Sequence, residues 1–421
     1  MPDPYRRAAA PHPSLPPNTV PHSRLTLAFA LLLAACGSDP GAMDLMSRRL
    51  ALVPELRVGS IDDPATALTA FRSLEVGRDG RIYTLHPEEG RIRVHDRQGI
   101  PLPPIGRQGE GPGEFTRPSV MGVHADSVWV LDFGNYRFSY FDSAGAFLTS
   151  KAVPVDLGGS ATASPPRPIG LLADGSILGT SPAWSREVAA GSITETVLLR
   201  LDDRGQPQDT VASYSLVNSI WAIEDPKSSN GFGSYGQQPF SDTEILRLSP
   251  TALEVVRVDR RVAGGPEAAL FRVSRATLAG DTIFSREYAY TPIPIDPALV
   301  DSLVRKRGES MSQVPFPGAP TPARAAELAR ASLYLPAFHP PVSELLIGRD
   351  GSVWLKREQV SADGSDWLVL SPQGAIVGAV RTPPRLRVMA AEERRIWGME
   401  QDDLDVPYLV RYGVQEEGGA S

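Results

Sequence analysis

From about residue 70 onward, apolar and polar positions alternate in short runs, and each run is bounded by Asp, Gly, Ser or Asn. A period of two marks half-buried strands rather than helices. Within it a phrase recurs: a polar turn, then a strand carrying a large apolar or aromatic residue. It reads DGRIY at Asp79–Tyr83, ADSVW at Ala125–Trp129, DGSIL at Asp174–Leu178, DGSVW at Asp350–Trp354 and ERRIW at Glu393–Trp397. Neighbouring copies lie 46, 49 and 43 residues apart, with one long gap between 174 and 350. Hairpin turns follow at Asp96–Gly99, Asp142–Gly145, Asp203–Gly205 and Ser371–Gly374, placed between alternating apolar residues as hairpin chemistry requires. A period in the forties made only of strands and turns predicts an all-β fold, a β-propeller with one four-stranded blade per repeat.

Pairing phrases with turns gives blades one, two, three and five, and the ERRIW copy gives the last. A fourth blade is read in the long gap from Ser219–Ile223, because Trp221 falls 43 residues after Leu178. Ile245–Leu248, a turn at Ser249–Ala252 and Leu253–Val258 complete it. The expectation is therefore a six-bladed propeller over residues 51–421. Seven blades are the lesser option, the extra one starting at Asp281–Phe284, where no hairpin turn follows. Asp296-Pro297 and Thr321-Pro322 read as helix starts, a capping residue with proline in the first helical position. Residues 263–341 are accordingly expected to form a partly helical insertion between blades four and five. The last blade lacks a fourth strand after Tyr408–Tyr412, while Glu55–Val58 is a strand without a blade. Because propellers avoid open sheet edges, this segment is expected to close the ring.

The single cysteine, Cys36, rules out an internal disulfide. Arg24, the apolar run Leu25–Leu33 and the small residues Ala34-Ala35 ahead of Cys36 describe a secretory signal, too short for a membrane span. Leu33-Ala34-Ala35-Cys36 resembles the bacterial lipobox. That resemblance implies a signal peptide at 1–35, lipidation of Cys36, a lipidated tether over 36–50 and, from Gly37, an outer-membrane lipoprotein of the cell envelope. The net charge of −7 becomes more acidic once the three arginines and one aspartate of the signal are removed. An acidic chain without a basic cluster argues against nucleic acid as partner.

Around the second repeat, GRQGEGPGEF (Gly106–Phe115), Pro118 and VWVLDFGNYRFSYFD (Val128–Asp142) resemble the NHL repeat, with Asp132, Asn135, Arg137, Phe141 and Asp142 in its characteristic places. About 40 residues carry the detailed match, and the whole chain is similar to six-bladed propeller lipoproteins of bacterial envelopes. The resemblance implies the fold and leaves the role open.

Candidate chemistry has two readings at each place. Glu110 and Glu114, in the Gly-Glu-Gly-Pro-Gly-Glu run, offer carboxylates to calcium, or belong to an inter-blade crossing in which glycines permit unusual backbone angles. Asp132, Asn135 and Arg137 face a ligand at the ring mouth, or brace a blade against its turn. His86, His95, His124 and His339 fall at unrelated blade positions, whereas zinc catalysis needs three converging ligands. Tyr83, Trp129, Trp221, Trp354 and Trp397 are read as equivalent packing residues rather than a sugar-stacking ring. With no catalytic motif in the chain, the reading is a non-catalytic binding or interaction module for a protein, peptide or glycan, with the membrane as second partner and no cofactor. The alternative is a metal-dependent lactonase or related hydrolase, holding a divalent ion at the central channel.

Overall fold

The structure, a computed structural model, describes residues 48–63, 66–124, 127–153, 166–181, 185–224, 233–262, 269–313, 320–358 and 363–417. The expected signal segment, Cys36 and the tether as far as residue 47 lie outside the described residues.

Within them the framework is all-β and propeller-like. Four antiparallel four-stranded sheets occupy residues 73–105, 118–152, 167–215 and 245–289. An eight-stranded sheet combines two further four-stranded units, 342–382 and 386–416, the second completed by Arg49–Val58. Each copy of the repeated phrase supplies the second strand of its unit: Ile82–His86, Ser127–Asp132, Ile177–Thr180, Val353–Arg357 and Arg395–Gln401.

The hairpins form for a local chemical reason. Asp96 accepts from the N–H groups of Gln98 and Ile100 at 2.9 and 2.8 Å, and Asp142 does the same for Ala144 and Ala146. Gly99 and Gly145 then close these turns at positive φ, where glycine carries no Cβ penalty. In the third unit the turn-forming carboxylate is Asp202, bonded to Arg204 and Gln206, one residue earlier than the pattern places it.

Hydrophobic clusters sit between consecutive units rather than inside one. Leu85, Ile92 and Ile105 pack with Phe115, Val130 and Phe141. Phe138 and Leu131 meet Ile177 and Leu201, and Leu178 and Leu198 meet Leu246. Phe271 and Val273 meet Leu345 and Leu355, Trp354 and Trp367 meet Val388 and Ile396, and Trp397 and Leu409 return to Leu74 and Ile82. The buried Arg275 adds a polar strut, bonded to Glu254 on one side and to the Gly351 and Pro372 carbonyls on the other. The two chain ends lock the ring: Arg49–Val58 pairs antiparallel with Pro407–Glu416, Leu56 opposite Arg411 and Val58 opposite Leu409. A short parallel pairing of Arg49 and Leu50 with Ala379 and Val380 also ties this strand to the preceding unit.

The long gap is organised differently from the sequence reading. Ile220–Glu224 is not a second strand of a unit; it forms a separate hairpin with Gly233–Gln237. The unit at 245–289 instead takes Glu254–Val262 as its second strand, Leu270–Thr277 as its third and Thr282–Ala289 as its fourth. The segment read as the start of a seventh blade is therefore that fourth strand, and the insertion begins after Ala289 rather than at 263. Turn chemistry explains the discrepancy. The joining turn has Thr277 where the other units have Asp or Ser, and its hydroxyl accepts from Asp281 N–H, while Gly280 supplies the positive φ.

The helical part of the insertion consists of Pro297–Ser312, capped by the Asp296 carboxylate, and Pro322–Ala331, capped by the Thr321 hydroxyl. With the 220–237 hairpin the two helices build a small core of their own from Ile223, Phe240, Val300, Val304, Met311, Ala325 and Ala329. Trp221 belongs here, under the Arg307 guanidinium at 4.0 Å from its ring centroid, and not at the slot shared by Tyr83, Trp129, Trp354 and Trp397. Gln238 ties the hairpin to the end of the second helix, donating to Ser332 O and accepting from Tyr334 N–H. No helix among the described residues is long and apolar enough to cross a membrane.

Candidate functional site

The polar residues that stand out in the sequence converge on one place, the connector between the first and second sheets. Asp132, fully buried at the end of its strand, accepts from Thr116 N–H and Arg117 N–H at 2.8 Å and from Gly134 N–H and Asn135 Nδ2 at 2.9 Å. Asn135 also donates to Gly109 O at 3.0 Å and accepts from the Thr116 hydroxyl at 2.8 Å. Arg137 donates to the carbonyls of Gly111 and Glu114. The Glu114 carboxylate accepts from Gly111 N–H at 2.8 Å and Arg107 Nε at 2.7 Å, and these two contacts hold it below the usual carboxylate range. The connector folds back so tightly that a Cβ at Gly109 would lie 2.2 Å from the Glu114 carboxylate. Glu110 is exposed and takes no part in the network. Charge-assisted bonds thus use the acceptor positions of Asp132 and the amide of Asn135.

A different set of residues faces open space. The first strands of all the units surround a cavity of about 320 Å³, lined by Met121, Leu171, Leu248, Leu345 and Met389 among others. It adjoins a wider cleft of about 580 Å³, which shares Arg247 and Leu248 with it. This cleft is walled by Tyr214, Ser219, Gln237, Gln238 and Ser343, so the 220–237 hairpin forms one of its sides. Past the channel lies a third space of about 210 Å³, bounded by Glu75, Arg78, His124, Thr251 and Arg349.

Register places the channel residues with respect to one another. Tyr83, Trp129, Leu178, Trp354 and Trp397 each pair with one residue of the neighbouring first strand, namely Glu75, Gly122, Gly170, Leu346 and Ala390. Arg247, opposite Val256, holds the same place in the 245–289 unit, two residues before its turn. Six equivalent positions therefore carry four small or apolar residues and two charged ones. Glycine at 122 has a packing reason, since a Cβ there would sit 2.5 Å from the Trp129 indole.

The charges near the cleft differ in how far they are committed. Glu244 accepts from Ser215 N–H at 2.7 Å and pairs with Arg257. Arg260 donates to Val342 O at 2.9 Å and to Thr243 O. Arg247 is exposed, and among the described residues its guanidinium has one hydrogen bond, to the adjacent Leu246 carbonyl at 3.0 Å. Glu75 has its carboxyl pushed up to about 7 by burial, against the opposing pull of the Arg349 guanidinium, because desolvation disfavours the ionised form. Arg349 itself donates to Gly77 O at 3.1 Å.

The histidines are dispersed. His86 is buried between the Thr69 and Thr84 hydroxyls at 2.8 and 3.0 Å, His339 packs edge-on to Phe240, and His124 alone borders the channel. Among the described residues no group of three or more His, Cys, Asp or Glu side chains is arranged to hold a metal ion. Glu75 and Arg247 carry no motif, yet a faint signal exists for both. Each is a lone charge between two apolar residues on a first strand, Leu74-Glu75-Val76 and Leu246-Arg247-Leu248.

No family model matches the chain, and no curated protein matches it either. Solved structures are similar in outline. A member of the DUF4221 family from Bacteroides vulgatus is 10% identical, with 87% of this chain and 99% of that one covered and a TM-score of 0.44. Virginiamycin B lyase from Staphylococcus aureus is 11% identical over 86% of this chain and 99% of that one, with a TM-score of 0.39. The calcium-binding protein regucalcin from Agrobacterium tumefaciens is 10% identical over 88% and 98%, with a TM-score of 0.36.

Proposed function

We propose that this chain is a lipoprotein of the cell envelope, held to the outer membrane through Cys36, whose six-bladed propeller acts as a non-catalytic binding module. The reading rests on one observation: a cleft of about 580 Å³ lined by hydroxyl and amide side chains, walled by a structure that the ring does not need for closure. Ser219, Gln237 and Ser343 suit the repeating donors and acceptors of an extended peptide or glycan, and the hairpin on one side and the ring on the other hold them in place with little ordering cost on binding. Asp132, Asn135, Arg137 and Glu114 brace the connector in this reading and do not touch the ligand.

The cleft is blocked by Ser343→Trp, a substitution at an exposed position. Purified full chain and this variant are each incubated with a pool of random octapeptides and with an array of envelope glycans. Retention by the parent chain and loss of it in the variant is the expected result. Ligands held equally by both, or by neither, would overturn the reading. For the anchor, Cys36→Ser should release a folded, soluble protein, and continued membrane retention would contradict it.

A further inference from the structure

The one level of the channel defined by register holds an acid and a guanidinium opposite each other. Counting round the ring, the unit carrying Glu75 and the unit carrying Arg247 are separated by 118–152 and 167–215 on one side. On the other side the units 342–382 and 386–416 separate them. The two side chains therefore project from opposite walls, with Gly122, Gly170, Leu346 and Ala390 filling the positions between them. No ion pair joins them, and the ring around them is apolar, with Met121, Leu171, Leu345 and Met389 in the lining. A carboxyl and a guanidinium facing each other across an apolar space of about 320 Å³ are complementary to a molecule that is charged at both ends and apolar between. Charge complementarity of this kind fixes the direction in which a ligand lies. Resting on the reading above, we propose that the channel below the cleft binds a short peptide with free ends: its carboxylate on Arg247, its ammonium toward Glu75, and its apolar side chains against the methionine and leucine lining.

Two details support the class. Arg247 lines both the cleft and the channel, so a ligand entering by the cleft meets the guanidinium first and is oriented by it. Guanidinium groups favour carboxylates through paired N–H donors, and the four remaining donors of Arg247 have no partner in the described contacts. At the opposite wall, Arg78 and Arg349 stand behind Glu75.

The experiment uses the purified full chain and an equimolar pool of the dipeptides formed from Ala, Val, Leu, Met and Phe. Retention is measured by ultrafiltration and mass spectrometry. The same pool is supplied with acetylated amines, with amidated carboxyls, and alongside decanoate. Free dipeptides should be retained, and blocking either end should weaken retention at least tenfold. In Arg247→Gln the distinction between acid and amide should disappear while that between free and acetylated amine persists; Glu75→Gln should show the converse. Circular dichroism of both variants confirms that they remain folded. Absence of dipeptide retention, equal retention of blocked and free forms, or decanoate bound as tightly as the dipeptides would overturn the proposal. Octapeptides still retained in a Ser343-dependent way would leave the binding module standing without it. Loss of both would remove both.

Discussion

Asp132 and Arg247 are both charged side chains on strands of the same ring, and the fold treats them in opposite ways. Asp132 ends a second strand, is fully buried, and accepts from two donors on the connector between two sheets and two on the turn that follows it. Arg247 lies in the middle of a first strand, faces the channel, and bonds only to the carbonyl beside it. The first is what a sequence reader notices, because its partners lie nearby in the chain and produce a compact phrase. The second leaves almost no trace, because its significance depends on residues a hundred or more positions away. Polar residues that cluster in sequence are those most prone to satisfy one another, and a binding surface has to be sought among the ones left over.

The largest effect expected from this contrast comes from Asp132→Ala. Removing the carboxylate leaves the part-buried N–H groups of Thr116, Arg117 and Gly134 and the Asn135 amide without their acceptor, at a combined cost of roughly 3–5 kcal/mol. Urea unfolding monitored by tryptophan fluorescence would show it as a lower midpoint with an unchanged slope. Ligand retention at low temperature should remain. A variant of parental stability that no longer binds would reverse the assignment of the two regions.

How much of this was legible in the chain depends on the range of the physics. The turn carboxylates act over two to four residues, so Asp96, Asp142 and Ser371 announced their hairpins, and the capped starts at Asp296 and Thr321 announced their helices. The pairing of Arg49–Val58 with the C-terminal strand was readable because an unmatched strand and an unfinished blade imply each other. The 245–289 unit was misread where one residue, Thr277, replaced the customary aspartate and hid a hairpin. Trp221 then offered a false match at the correct spacing. The channel was beyond reach for another reason. Which first-strand residues share a level is set by cross-strand register in six separate pairings, and no spacing rule along one strand reports it.

Two titratable groups, one buried and one half-buried, sharpen the comparison further, because they move stability in opposite directions with pH. His86 sits between two threonine hydroxyls, and burial pushes its pKa down to about 4 despite the nearby Glu89 carboxylate. The unfolded chain takes up a proton near pH 6.5 and the folded one does not, so stability is full above 6.5 and falls as the pH drops toward 4. A loss of roughly 2–3 kcal/mol is expected across that window. His86→Gln should flatten this part of the profile, measured by chemical denaturation between pH 4 and 7. An unaltered slope would mean that the imidazole is not held neutral.

Glu75 carries the reverse sign and, because the side chain is only half-buried and partly screened by solvent, a smaller magnitude. Its carboxyl is raised to about 7, so the folded state holds a proton that the unfolded state has released. The stability tied to this group is present below about pH 4.5 and declines as pH rises through 7. Arg349, Arg78 and His124 border the same space, and Arg349 limits the shift. Replacing the acid by Glu75→Gln should therefore raise stability at pH 8 by roughly 1–2 kcal/mol and change little at pH 4. A stabilising mutation at a channel residue would mark a site where the native residue serves something other than the fold. Destabilisation at pH 8 would instead make Glu75 a structural partner of Arg349.

The smallest effect on stability is expected at Arg247, and that smallness is informative. Among the described residues its guanidinium covers no core cluster and closes no ion pair, so Arg247→Gln should lie within about 0.5 kcal/mol of the parent in urea unfolding, as surface substitutions do. Asp132 and Arg247 would then occupy opposite corners of a plot of stability against binding. A loss of more than about 2 kcal/mol in Arg247→Gln would place this arginine with Asp132 among the residues that hold the ring together. The channel would then have no arginine left over to recognise a ligand's carboxylate.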